Sequence, residues 1–188
     1  MAYKTCKGIT LFDLLISIAV VSIIITQAIP SFVGLVAKSQ LITQRDAFLS
    51  TLQFARSEAI TRNQDVYMCA RHEDELTCSE ENKWQAGWIV YVDENKNREL
   101  DEEEVIRLME GVQEEYSLAS NANIYDFQFR SNGSLRRGNG ALPMMTFNLC
   151  APNAEENIES RAYEIVINRG GRARTHQGIE DETDCSTI

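Results

Sequence analysis

Between residues 14 and 29 the chain carries no charged side chain, and Ser17, Ser22, Thr26 and Gln27 are the only polar members. A helix facing water needs a polar face, so a run this apolar must be covered by lipid or by protein. The mostly apolar residues 9–12 in front and 32–37 behind extend it toward the ~20 residues of a spanning helix. Asp13 is the exception, because an ionised carboxylate in an apolar helix is costly unless paired and so marks function. Lys4 and Lys7 precede the run with no acid beside them, and such basic flanks stay on the cytoplasmic side. The expectation is a membrane segment over 9–30 with the rest of the chain across the membrane.

The formal charge of −10 disfavours a general grip on nucleic acid or anionic lipid, so any such role needs a local basic patch. With 188 residues, 44% of them hydrophobic, the chain has room for one ordered domain beyond the apolar segment. Of five cysteines, Cys6 lies at the extreme N-terminus and Cys69, Cys78, Cys150 and Cys185 fall in the polar remainder. None forms a CxxC pair, and an even set beyond a membrane segment points to two disulfides rather than zinc. Four cysteines allow three pairings. The expected one is Cys69 with Cys78, closing a short loop, and Cys150 with Cys185, tying down the C-terminal tail.

From 31 to 63 the pattern becomes amphipathic, with Leu41, Phe48, Leu52, Ala55 and Ala59 at helical spacing and Lys38, Arg45, Arg56, Glu58 and Arg62 off that stripe. Pro30 reads as a kink within one long helix. Residues 64–188 then break into short β-like runs at 66–70, 84–92, 105–109, 124–129, 144–150 and 163–168. Turn chemistry at Asn132-Gly133, Gly138-Asn139-Gly140 and Gly170-Gly171 separates them. An α+β fold follows: a long N-terminal helix whose second half packs on an antiparallel sheet.

A secretory signal peptide places its cleavage site after the apolar core. Here Lys7-Gly8 stands before it, so a cut after Gly8 leaves the apolar segment on the mature chain. The stretch Lys7-Gly8-Ile9-Thr10-Leu11-Phe12-Asp13-Leu14-Leu15 resembles type IV prepilins. That resemblance implies a leader over 1–8, removed by prepilin peptidase between Gly8 and Ile9, and N-methylation of Ile9. Loss of the two leader lysines moves the net charge from −10 to −12. It also implies an inner-membrane subunit with a periplasmic head that later enters a fibre. Asp13 stands where the family has glutamate, with the amine of a neighbouring subunit as its partner.

Three further stretches narrow the resemblance to the minor pilin family that includes FimT of type IV pili and GspH of type II secretion. They are Ala55-Arg56-Ser57-Glu58-Ala59-Ile60, then Trp84-Gln85-Ala86-Gly87-Trp88 leading to Val92-Asp93, then 129–133. Near the C-terminus, Gly171-Arg172-Ala173-Arg174 matches the GRxR motif with which FimT-type pilins hold DNA during uptake. Arg172 and Arg174, two apart, point to one side of an extended segment, and arginine binds phosphate bidentately. Arg169, Arg136 and Arg137 extend the patch, while Glu180, Asp181, Glu182 and Asp184 follow it and oppose it. The resemblance implies other pilins and double-stranded DNA as partners, in natural transformation. A GspH-type secretion pseudopilin is the alternative.

Residues 93–104 place Asp93, Asn95, Asn97, Asp101 and Glu104 at positions one, three, five, nine and twelve of an EF-hand-like loop. Arg98 occupies the sixth position, where glycine permits the turn, so calcium competes with a reading as a solvated acidic hairpin loop. A calcium-stabilised subunit without DNA binding is the second alternative. His72 and His176 lie far apart with no metal-ligand partner at a recognisable spacing, and no nucleophile and base pair occurs. No enzyme activity, cofactor or small-molecule substrate is expected.

Overall fold

The computed structural model describes residues 11–97, 99–137, 144–152, 154, 158–179 and 185. The Gly8/Ile9 junction, Arg98, the turn at 138–140 and the acidic residues 180–184 therefore lie outside the description. The chain divides into two compact units, Met1–Ser39 and Gln40–Ile188.

Helix α1 spans Leu11–Arg62, with Asp13 in its first turn and Arg62 in its last, each the sign that the helix dipole favours. In the first unit its residues 11–26 are exposed throughout, Leu11 at 75% and Ile23 at 66% among them. The hydroxyls of Ser17, Ser22 and Thr26 donate to the carbonyls of Asp13, Ala19 and Ile23 at 2.7–2.8 Å. Those donors are thereby satisfied within the helix, without water. Among the described residues no helix is long and apolar enough to cross a membrane. The expected segment over 9–30 begins before the described residues, and its last side chains, from 27, lie outside the description.

In the second unit the amphipathic stripe is the core face: Leu41, Phe48, Leu52, Ala55 and Ala59 are all buried. Phe48 stands 5.0 Å from both Trp88 and Phe147 and 6.0 Å from Trp84, so one helix side chain joins the main aromatic cluster. Two antiparallel sheets surround that core. One contains β1 (Val66–Ala70), β2 (Gly87–Tyr91), β3 (Val105–Glu110), β5 (Asp126–Phe129) and β6 (Leu135–Arg136), in the order β3-β2-β1-β5-β6. The other contains β4 (Ser117–Ser120), β7 (Met145–Cys150), β8 (Ala162–Ile167) and β9 (Ala173–Gln177), in the order β4-β7-β8-β9. A single helical turn, α2 (Ile158–Arg161), precedes β8.

The class is α+β, as expected, but the single sheet is two. The strands missing from the sequence reading are β4, β6 and β9, short and polar, which pairing rather than periodicity turns into strands. The run expected over 84–92 also starts late. Trp84–Ala86 is a 3-10 turn that buries Trp84, whose Nε1 donates to the Ile124 carbonyl at 2.6 Å. Disulfides join Cys69 to Cys78 and Cys150 to Cys185.

Candidate nucleic-acid interface

Residues 168–176, where the sequence reading placed no strand beyond its last β-like run at 163–168, form a tight turn and an edge strand. The Asn168 N–H donates to the Arg172 carbonyl at 3.0 Å, the Gly171 N–H to the Asn168 carbonyl at 2.8 Å, and the Arg172 N–H to Asn168 Oδ1 at 3.0 Å. β9 then pairs with β8, setting Ala173 opposite Ile167 and Arg174 opposite Val166. Ala173 packs against the core, while Arg172, Arg174 and His176 are exposed, so the two-residue alternation turns these three outward together.

A second turn packs against the first. The Gly133 N–H donates to the Arg130 carbonyl at 2.7 Å, and β6 follows at once. The Leu135 N–H donates to the Arg169 carbonyl at 2.9 Å, which stitches β6 to the segment entering the 168–171 turn. Gly133 and Gly171 have φ of +76° and +71°, and a Cβ on Gly171 would lie 2.2 Å from the Gly133 oxygen. Only glycine at 171 allows the backbones to approach this closely.

Between the two turns lies Arg56 of α1. Its Nε donates to the Gly133 carbonyl at 3.0 Å, and its side chain lies 3.1 Å from where a Gly171 Cβ would stand. The sequence placed Arg56 off the apolar stripe, and its half-buried clamp on both turns was not foreseen. Its only signal is its position in 55–60 together with two glycines far downstream, a link that exists only in three dimensions.

The fold thus brings the segment carrying Arg136 beside the one carrying Arg169, Arg172 and Arg174. Arg137 is drawn elsewhere: its Nη2 donates to the Asn123 carbonyl at 3.4 Å, and its charge acts on Asp126. Burial raises the Asp126 pKa above its ordinary 3.8, with Arg137 pulling against the shift. The ion pairs among the described residues are Arg45–Asp46, Arg62–Glu58 and Lys83–Glu81, and none engages this face. Glu164 is the acid nearest in register, opposite His176 and diagonal to Arg174 on the same sheet face. The expected masking residues Glu180, Asp181, Glu182 and Asp184 lie outside the description, although Cys185 just beyond them is bonded to Cys150 at the end of β7.

Of the other expected site residues, Asp13 is exposed on α1 and the 93–104 loop connects β2 to β3. Among the described residues no group of three or more His, Cys, Asp or Glu is placed to hold a metal ion.

The family model described as type II transport protein GspH matches residues 44–171, ending one residue short of Arg172. Among solved structures, the type IV minor pilin FimU of Pseudomonas aeruginosa is similar at 16% identity and a TM-score of 0.55, over 77% of this chain and 91% of that one. The minor pseudopilin EpsH of the Vibrio cholerae type II secretion system is similar at 12% identity and a TM-score of 0.48, over 77% of this chain and 98% of that one. No curated protein matches the sequence.

Proposed function

The chain belongs to the GspH family, as a pilin-like subunit of the type IV pilus or type II secretion kind, and from that premise we propose a minor pilin that binds duplex DNA without sequence preference. The observation that carries the reading is the stitched pair of turns with Arg172 and Arg174 exposed and in none of the ion pairs among the described residues. Phosphate contacts act over a few ångströms, whereas the acids elsewhere on the chain are screened beyond ~8 Å at physiological salt. A net negative protein can therefore hold DNA on one arginine face.

The apolar, exposed residues 11–26 support insertion in the inner membrane and later packing against other pilins, with Asp13 meeting a neighbour's terminal amine. The same reading has prepilin peptidase cutting after Gly8, which leaves Ile9 as the methylated first residue. Intact-mass analysis of membrane-extracted protein should show the loss of residues 1–8.

The DNA reading is tested with full-length protein in detergent by gel shift and salt titration. Non-specific contacts of this kind give dissociation constants of ~10⁻⁴–10⁻⁶ M, and each neutralised phosphate adds about 0.9 to the log-log salt slope. Wild type should shift unrelated duplexes equally, and the double substitution Arg172→Ala, Arg174→Ala should not. A wild type that fails to shift DNA at low salt would move the assignment to a secretion pseudopilin.

A further inference from the structure

Of residues 93–104, seven are acidic and two basic, the densest charge in the chain. We propose that this β2–β3 loop is a calcium site built from Asp93, Asn95, Asn97, Asp101 and Glu104. The proposal is independent of the DNA reading.

The sheet brings the two ends of the loop together. Tyr91 pairs with Val105, and the Val92 N–H donates to the Glu104 carbonyl at 3.1 Å. A 3-10 turn over Glu102–Glu104 leads into β3 and returns the Glu104 side chain to the start of the loop. There Glu104 Oε1 accepts the N–H groups of Glu94 at 2.9 Å and Asn95 at 3.3 Å. Glu104 is only 8% exposed, and its second oxygen, Oε2, has no hydrogen-bond partner among the described residues. A buried carboxylate oxygen without a partner is strongly unfavourable unless a cation compensates it. That oxygen separates this loop from an ordinary acidic hairpin.

The other donors already meet one another. Asp101 Oδ2 accepts the side-chain amides of Asn95 at 2.7 Å and Asn97 at 3.2 Å, and Asp93 Oδ1 accepts the Asn97 N–H at 3.1 Å. Glu104 joins this cluster through the Asn95 N–H. Three carboxylates are too few and too spread to hold an ion alone, in keeping with the absence of an all-acid cluster among the described residues. The amide oxygens of Asn95 and Asn97, which accept the Asn97 and Glu99 N–H groups at 2.8 Å, complete the set through their second lone pairs. Filling the site requires Asp101 to leave the two amide N–H groups, so that the ion lies between its carboxylate and the amide oxygens. Carboxylates, amide carbonyls and water in a flexible loop suit calcium, whereas magnesium demands a stricter octahedron.

The test is thermal unfolding of full-length protein in detergent, first in chelator and then with calcium chloride or magnesium chloride at matched ionic strength. For the ~10⁻⁴–10⁻³ M affinities of extracellular calcium modules, about 10 mM calcium should raise the Tm by ~3–10 °C. Magnesium should give a clearly smaller rise. Glu104→Gln and Asp101→Asn should each lose the calcium-dependent rise. If Glu104→Gln does not fold, Asp101→Asn decides, because Asp101 is exposed and its replacement spares the core. No rise in wild type, an equal rise with magnesium, or a full rise in Asp101→Asn would overturn the proposal.

Discussion

Two regions of this molecule concentrate charge of opposite sign, and in each one charged side chain turns in to hold backbone. In the β2–β3 loop the interior member is Glu104, which gathers two backbone N–H groups on one oxygen. At the arginine face its counterpart is the half-buried Arg56, which holds the Gly133 carbonyl and packs on Gly171. In both places that side chain organises backbone. The difference is that Glu104 keeps an oxygen without a hydrogen-bond partner among the described residues, so a ligand of the acidic loop would sit within the fold, whereas one of the exposed arginines would sit outside it.

The largest effect that would break this comparison is expected at Gly171. Gly171→Ala forces a Cβ to 2.2 Å from the Gly133 oxygen at a positive φ. A destabilisation of ~2–4 kcal/mol should result, with loss of DNA binding as the turns separate. Differential scanning calorimetry beside the gel shift measures both. A variant as stable as wild type would mean that the turns are not held by this contact.

Next comes Glu104→Ala, which strips the acceptor from the Glu94 and Asn95 N–H groups. Urea unfolding in chelator should show a loss of ~1–3 kcal/mol. Unchanged stability would remove Glu104 from its role as interior anchor. Arg56→Ala should cost about 1 kcal/mol for its hydrogen bond to Gly133, and it should weaken DNA binding without touching an exposed arginine. By contrast, the Arg172→Ala, Arg174→Ala pair should stay within ~0.5 kcal/mol of wild-type stability while losing DNA. That split between structural and surface arginines is the sharpest form of the comparison.

The smallest effect concerns pH. Burial raises the Asp126 pKa above 3.8, so the folded state holds its proton more tightly than the unfolded state does. The resulting stability is fully present below pH 3.8 and declines as pH rises through the folded-state value. Asp126→Asn carries no such titration, so its Tm relative to wild type should rise as pH increases from 3.8 into the neutral range. A constant difference across that range would contradict the assignment.

Periodicity alone was enough for the amphipathic half of α1, because a stripe of Leu41, Phe48, Leu52, Ala55 and Ala59 has few ways to be buried other than against a sheet. The α+β class and the stronger strands were legible for the same reason: apolar alternation is a local property of the chain. β4, β6 and β9 were not, since their pairing comes from neighbours far away in sequence and their own residues are polar. Only the folded chain made residues 173–177 an edge strand and set Gly171 against Gly133. Likewise, it alone put Arg56 between two turns, because that contact joins residues 77 positions apart. The sequence by itself determined which residues carry charge and where the apolar faces lie. Tertiary structure decided which charges point inward, because burial depends on what packs opposite a side chain, and no local pattern records that.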